Sequence, residues 1–87
     1  MHLLDLPTGG VSLEFSPEEK PEVMDRLRRL GRISVQHEAT YDIVSVGSEQ
    51  LTYLDEWDQP CLIAGTAVGV SLLSAVARGS DSLAAAE

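Results

Sequence analysis

This chain is short of several things at once: it has one cysteine, one lysine, few aromatic residues and no undiluted apolar run of membrane-spanning length. A lone cysteine excludes an internal disulfide. Cys61 also lies beside Leu62 and Ile63, so the reading is a buried thiol in a reducing compartment. Lysine and arginine together number six against fourteen acids, a formal charge of −8 on 87 residues. Affinity for phosphate backbones comes mainly from lysine and arginine, so this balance argues against nucleic-acid binding and toward a basic partner.

Catalytic signatures are missing as well. His37-Glu38 is followed by Ala39, Thr40 and Tyr41, which is no metalloprotease H-E-x-x-H. There is no nucleophile elbow, no C-x-x-C and no glycine-rich phosphate loop. One domain of this length leaves little room for a water-excluding pocket. The expectation is a protein that is not an enzyme and carries no cofactor or metal. The N-terminal MHLLDLPTGG has no basic leader, and Asp5 and Pro7 interrupt its short apolar run, so a cytoplasmic location is expected.

The stretch Gln59 to Ala77 contains no charged residue and holds more apolar surface than any other segment. A membrane helix needs about 20 strongly apolar residues; here Thr66, Ser71, Ser74 and several glycines and alanines dilute the run, although Gly65-x-x-x-Gly69 is a spacing that membrane helices use. A β-hairpin turning at 67–69 is a further alternative, because glycine and β-branched residues are poor helix formers. A soluble helix explains more. At about 100° per residue, Ala67, Ser71, Ser74 and Arg78 form one stripe, while Val68, Leu72, Leu73, Val76 and Ala77 cover the rest. Thr66 can cap its start, and Gly79 can end it in the left-handed conformation. Residues 61–64 then read as a short buried strand.

In chain order, Leu3, Leu4 and Leu6 are expected to cover an edge of the core, with 7–10 a break before regular structure begins. Val11, Leu13 and Phe15 alternate with Ser12, Glu14 and Ser16 in the period of a half-buried strand. Ser16-Pro17-Glu18-Glu19 has the form of a helix start, but Pro21 implies either a distorted first turn or a helix beginning at Pro21. Val23, Met24, Leu27 and Leu30 make its apolar stripe and Gly31 ends it. Residues 32–38 alternate again, with Ile33, Val35 and His37 on one face. Turns near Ala39-Thr40 and at Gly47-Ser48-Glu49 predict strands over 41–46 and 50–55. Both carry apolar residues on both faces, which calls for cover on both, from helices on one side and from either the remaining segments or a second copy on the other.

The predicted fold is therefore α+β: a two-layer sandwich with a mostly antiparallel sheet of four to five strands and two helices, in the order β-α-β-β-β-(β)-α. Residues 1–79 form one small domain, and 80–87 read as a frayed tail. The order is similar to that of the ferredoxin-like sandwiches, a likeness of fold that selects no function.

Two features are candidates for function. Asp55-Glu56-Trp57-Asp58, with Tyr53 just before, concentrates three carboxylates and an indole in one loop. The spaced ligands of a calcium loop are absent, and adjacent acids in a turn do not take up the opposed geometry of a glycosidase pair. They suit a partner-binding epitope, with Trp57 as anchor and the acids steering a basic surface, against the plain alternative of a solvated turn packed by its tryptophan. The second feature is the short basic patch Arg26, Arg28, Arg29 and Arg32, expected to pair with carboxylates within the chain or across a symmetric dimer. His37 reads as a histidine hydrogen-bonded to a neighbour. The functional reading is a small acidic, non-catalytic protein-interaction module of the inhibitor, immunity or adaptor kind, binding a basic protein, forming a homodimer, and touching neither nucleic acid nor membrane. Its alternatives are a dimeric domain sensing a small molecule and a membrane-associated subunit anchored by 61–77.

Overall fold

A computed structural model describes residues 1–55 and 59–79. Six antiparallel strands form one sheet against two helices: β1 (His2–Asp5), β2 (Val11–Glu14), α1 (Lys20–Leu30), β3 (Ile33–His37), β4 (Asp42–Val46), β5 (Glu49–Leu54), β6 (Cys61–Ala64) and α2 (Ala67–Arg78). The spatial order is β1-β2-β6-β5-β4-β3, so β6 returns to the middle of the sheet and β1 and β3 are its edges. The expected α+β class, with a two-layer antiparallel sheet and two helices, is what is observed.

The strand count differs from the expectation of four to five. Residues 7–10 are not a break before structure; they turn a hairpin whose arms are β1 and β2, with Leu3 opposite Leu13 and Asp5 opposite Val11. Gly9, at φ 94°, donates its N–H to the Leu6 carbonyl at 3.0 Å, and Leu6 donates to the Gly10 carbonyl at 2.9 Å. This matches a three-residue hairpin loop closed by a left-handed glycine. A four-residue strand reading His2-Leu3-Leu4-Asp5 shows no alternation, and only pairing with β2 reveals it. The resulting order, β-β-α-β-β-β-β-α, departs from the β-α-β-β-α-β arrangement of the ferredoxin-like sandwich.

The register sorts the side chains into two faces. Val11, Leu13, Val44, Val46, Leu51, Tyr53, Leu62 and Ala64 point toward the helices and bury with Phe15, Val23, Leu27, Leu72, Leu73 and Val76. Leu4, Ser12, Ile63, Thr52 and Ile43 line up across the opposite face. Ser12 is nonetheless buried, because β2 lies inside the sheet between β1 and β6.

Pro21 is accommodated by a division of labour. A 3-10 turn, Pro17–Glu19, precedes the α-helix, which starts at Lys20, so the missing amide falls in the first turn. The Glu19 carboxylate accepts from the Ser16 N–H at 2.9 Å and from the Met1 ammonium at 2.9 Å. The Ser16 hydrogen bond first, and the ammonium second, hold that carboxyl below the usual glutamate range.

Residues 59–77 are divided between β6 and α2. Thr66 caps α2 by accepting the Gly69 N–H at 3.0 Å, and Gly79 ends it at φ 78°. Gly69 is buried where a Cβ would stand 2.9 Å from that of Ala64, so its small size serves helix-on-sheet packing. No helix among the described residues is long and apolar enough to cross a membrane. One residue of the expected apolar face is misplaced: Val68 is 56% exposed, because the buried stripe runs through Gly69, Leu72, Leu73, Ala75 and Val76. The predicted tail, 80–87, lies outside the described residues.

Candidate functional site

The β3–β4 hairpin closes with His37 opposite Asp42 and a turn in which Glu38 donates its N–H to the Tyr41 carbonyl at 2.8 Å. Asp42 stands opposite Tyr53, and Tyr53 opposite Leu62. One cross-strand row on the helix side thus runs from a side chain 79% exposed at His37 to complete burial at Leu62. Where that row leaves the shelter of α1, a groove of about 430 Å³ opens.

Its walls are mainly polar: the acids Glu38, Asp42 and Asp55, with His37, Ala39, Thr40, Tyr41, Tyr53 and Lys20. His37 Nδ1 lies 2.9 Å from Asp42 Oδ1. Tyr53 stacks on Phe15, with centroids 6.3 Å apart and planes at 22°, and its hydroxyl donates to Asp55 Oδ1 at 3.1 Å. Lys20 Nζ sits 4.5 Å above the Tyr53 ring, a cation on the negative face of an aromatic. Burial chiefly, then the hydrogen bond to Asp55 and the neighbouring negative charges, push the Tyr53 phenol up to about 12. Tyr53 is therefore a neutral donor at physiological pH. A smaller cavity of about 240 Å³ adjoins, lined by Met24, Val35 and Val44 along with Lys20, His37, Asp42 and Tyr53.

His37 paired with Asp42 has the form of a base and its orienting carboxylate, yet among the described residues no hydroxyl or thiol hydrogen-bonds to that imidazole. Cys61 is buried on the sheet face away from the helices. No group of three or more histidines, cysteines and carboxylates with metal-binding geometry occurs among the described residues.

Of the loop singled out from sequence, Tyr53 and Asp55 meet in this groove, whereas Glu56, Trp57 and Asp58 lie outside the described residues. The arginines are drawn apart. Arg26 donates from Nε to Glu22 at 2.8 Å and from Nη1 to the Val76 carbonyl at 2.7 Å, tying α1 to the last turn of α2. Arg28 pairs with Asp25 at 3.1 Å within the same helix. Arg29 is exposed on α1, and Arg32 is exposed just before β3. The expectation for this group is pairing with carboxylates, within the chain or across a dimer; Arg26 and Arg28 pair within the chain. Histidine 37 has the expected hydrogen-bonded neighbour, but on an exposed hairpin rather than in a core.

Lys20, Glu38, Tyr41 and Asp42 were not singled out from sequence. Counting the hairpin register would have found Asp42, since a four-residue turn after His37 brings 37 and 42 opposite. No local signal marks Lys20, whose position depends on how α1 crosses the sheet. In comparisons with protein-family models, with curated proteins and with solved structures, this chain matches none.

Proposed function

We propose that this chain is a non-catalytic interaction module that takes a basic segment of another protein into the groove at the β3–β4 hairpin. The observation that carries the reading is that Asp42 and Asp55 line one open groove bordered by the turn residue Glu38, on a chain of net charge −8. Lys20, over the Tyr53 ring, supplies one opposing charge and leaves the groove net acidic. Arginine forks pair with carboxylates, and Tyr41, 40% exposed at the rim, offers an aromatic surface to the stem of such a side chain. Charge of one sign around a cleft speeds encounter with the opposite sign. In sequence, Glu56 and Asp58 add two more acids directly after Asp55. The exposure of His37, whose side chain is open to water, supports binding over catalysis. The single cysteine, Cys61, is buried and has no second cysteine in the chain to form a disulfide with, which suits a reducing compartment, and the cytoplasm is part of this reading.

The test is binding of an oligo-arginine peptide, followed by association kinetics at several ionic strengths. Asp42→Asn with Asp55→Asn should slow association several-fold at low salt and lose that difference at high salt. Asp5→Asn with Asp25→Asn removes the same charge from residues that line neither cavity and should change the rate far less. Equal effects from the two pairs would show a response to net charge alone and remove the groove from the argument.

The adjoining cavity supports a second reading, a small-molecule sensor. At about 240 Å³ it falls below the roughly 300–1,000 Å³ of ordinary ligand pockets, which places this reading behind the first. Line broadening of the Met24 methyl on titration with small aromatic cations would favour it.

A further inference from the structure

We propose that the free edge of β3 pairs with β3 of a second copy of this chain, antiparallel and centred on Val35, joining two six-stranded sheets into one. This goes beyond the groove and does not depend on it.

The hydrogen bonds that bracket β3 establish which of its backbone groups are available. Glu38 donates to the Tyr41 carbonyl, and Gly47 donates to the Arg32 carbonyl at 2.8 Å. In an antiparallel ladder, residues facing a given neighbour alternate. The even-numbered residues of β3 therefore bond to β4, and the N–H and C=O groups of Ile33, Val35 and His37 point outward, where the sheet ends. Natural edges are guarded by lysine, proline, bulges or inward charge. β3 has none of these and stays in unbroken register with β4 throughout. The other edge differs: β1 ends in Asp5 with Pro7 close behind, and its His2 is paired with Glu14 at 3.5 Å.

The occupant is identified by charge complementarity. Arg32 stands directly before β3 and Glu38 directly after it, both exposed. A two-fold axis at Val35 sets Arg32 of each copy against Glu38 of the other, Ile33 against His37, Ser34 against Gln36, and Val35, 43% exposed in one copy, against itself. Arg32 and Glu38 share a face by the same parity, and Gln36 Nε2 holds the Glu38 carboxylate at 2.6 Å on that face. Sliding the pairing by two residues puts Gln36 or Thr40 opposite Arg32 and forfeits both ion pairs. For an acidic chain, association needs a contact where like charges do not meet, and an isologous contact must complement itself. This edge does both.

The experiment uses the purified chain with no partner present. Sedimentation equilibrium should show a monomer–dimer equilibrium across the micromolar range. Arg32→Glu and Glu38→Arg should each weaken the dimer about tenfold, since each turns two exposed ion pairs into two repulsions. An equimolar mixture of the two variants should form a heterodimer at least as tight as the unaltered homodimer, and the doubly swapped chain should recover self-association. Amide hydrogen exchange supplies the second readout: with rising concentration the amides of Ile33, Val35 and His37 should slow, while those of Ser34 and Gln36 stay protected at every concentration. A monomer at all concentrations overturns the proposal. A dimer indifferent to the charge swaps, or one that leaves the odd-numbered amides unprotected, also overturns it and would point to packing of the open sheet faces.

Discussion

β2 and β3 look alike as sequence and end in opposite surroundings. Both alternate apolar with polar residues, Val11-Ser12-Leu13-Glu14 against Ile33-Ser34-Val35-Gln36. Yet Leu13 is fully buried, while Val35, on the same helix-facing side of the sheet, is 43% exposed. β2 sits between β1 and β6 under α2, whereas β3 is an edge that only its first residue, Ile33, carries into the core packing. Alternation reports that a strand has two unlike faces. Burial depends on what is stacked above and alongside, which period alone does not contain.

The sharpest way to break this contrast is truncation at equivalent places. Leu13→Ala should cost about 2–5 kcal/mol, the range for emptying a leucine site in a packed core, while Val35→Ala should stay within about 0.5 kcal/mol, as for surface positions. Urea denaturation of the two variants measures both, under conditions that keep the chain monomeric. Similar losses at the two sites would mean that Val35 is packed as closely as Leu13 within the monomer.

The buried side should also tolerate no added bulk. A Cβ at Gly10 would meet the Ala64 carbonyl oxygen at 2.3 Å, a backbone atom of a central strand that cannot turn aside. Gly10→Ala should therefore cost about 1–3 kcal/mol, the range of overpacking. Gly9→Ala would probe a different cause, since nothing lies near a Cβ there and the strain comes from φ 94° alone. Thermal unfolding of the pair separates close approach from backbone conformation.

Tyr53 marks the boundary between the two regions, and pH sharpens it. Its folded-state phenol is raised to about 12 from an ordinary value near 10, so the folded state holds this proton more tightly than the unfolded chain. The associated stability is present below pH 10 and is lost as pH rises from there toward 12. The loss should be about 2 kcal/mol, because each unit corresponds to about 1.4 kcal/mol and side-chain rearrangement relieves part of the burial. Stability measured across this range should fall less steeply in Tyr53→Phe, and absorbance at the tyrosinate band should show one phenol titrating late. An unchanged slope would mean that Tyr53 is wetter than its 3% exposure implies.

Much of the architecture was legible because local chemistry and tertiary need agreed. Thr66, Gly79, Gly31 and Gly47-Ser48 punctuate the chain where the sequence pattern places them, and Cys61–Ala64 with Ala67–Arg78 realise the strand and helix read from an uncharged stretch. β1 was not legible, since Leu3-Leu4 has no period and its strand character exists only through pairing with β2. At the groove, the tyrosine and first acid of the 53–58 segment were visible as a concentration of chemistry. Their companions Lys20, Glu38 and Asp42 come from two other parts of the chain.

Composition and spacing alone determined the acidity, the absence of disulfides, the α+β class and most element boundaries, because caps, turns and periodicity act over a few residues. Only the tertiary structure decided that Val68 faces water, that Arg26 binds the end of α2, and that His37, Asp42 and Tyr53 share one row. The reason is one of range. Sheet order and helix placement bring together residues with no sequence relation, and the burial, hydrogen bonding and ionisation of each follow from neighbours that pairing alone supplies.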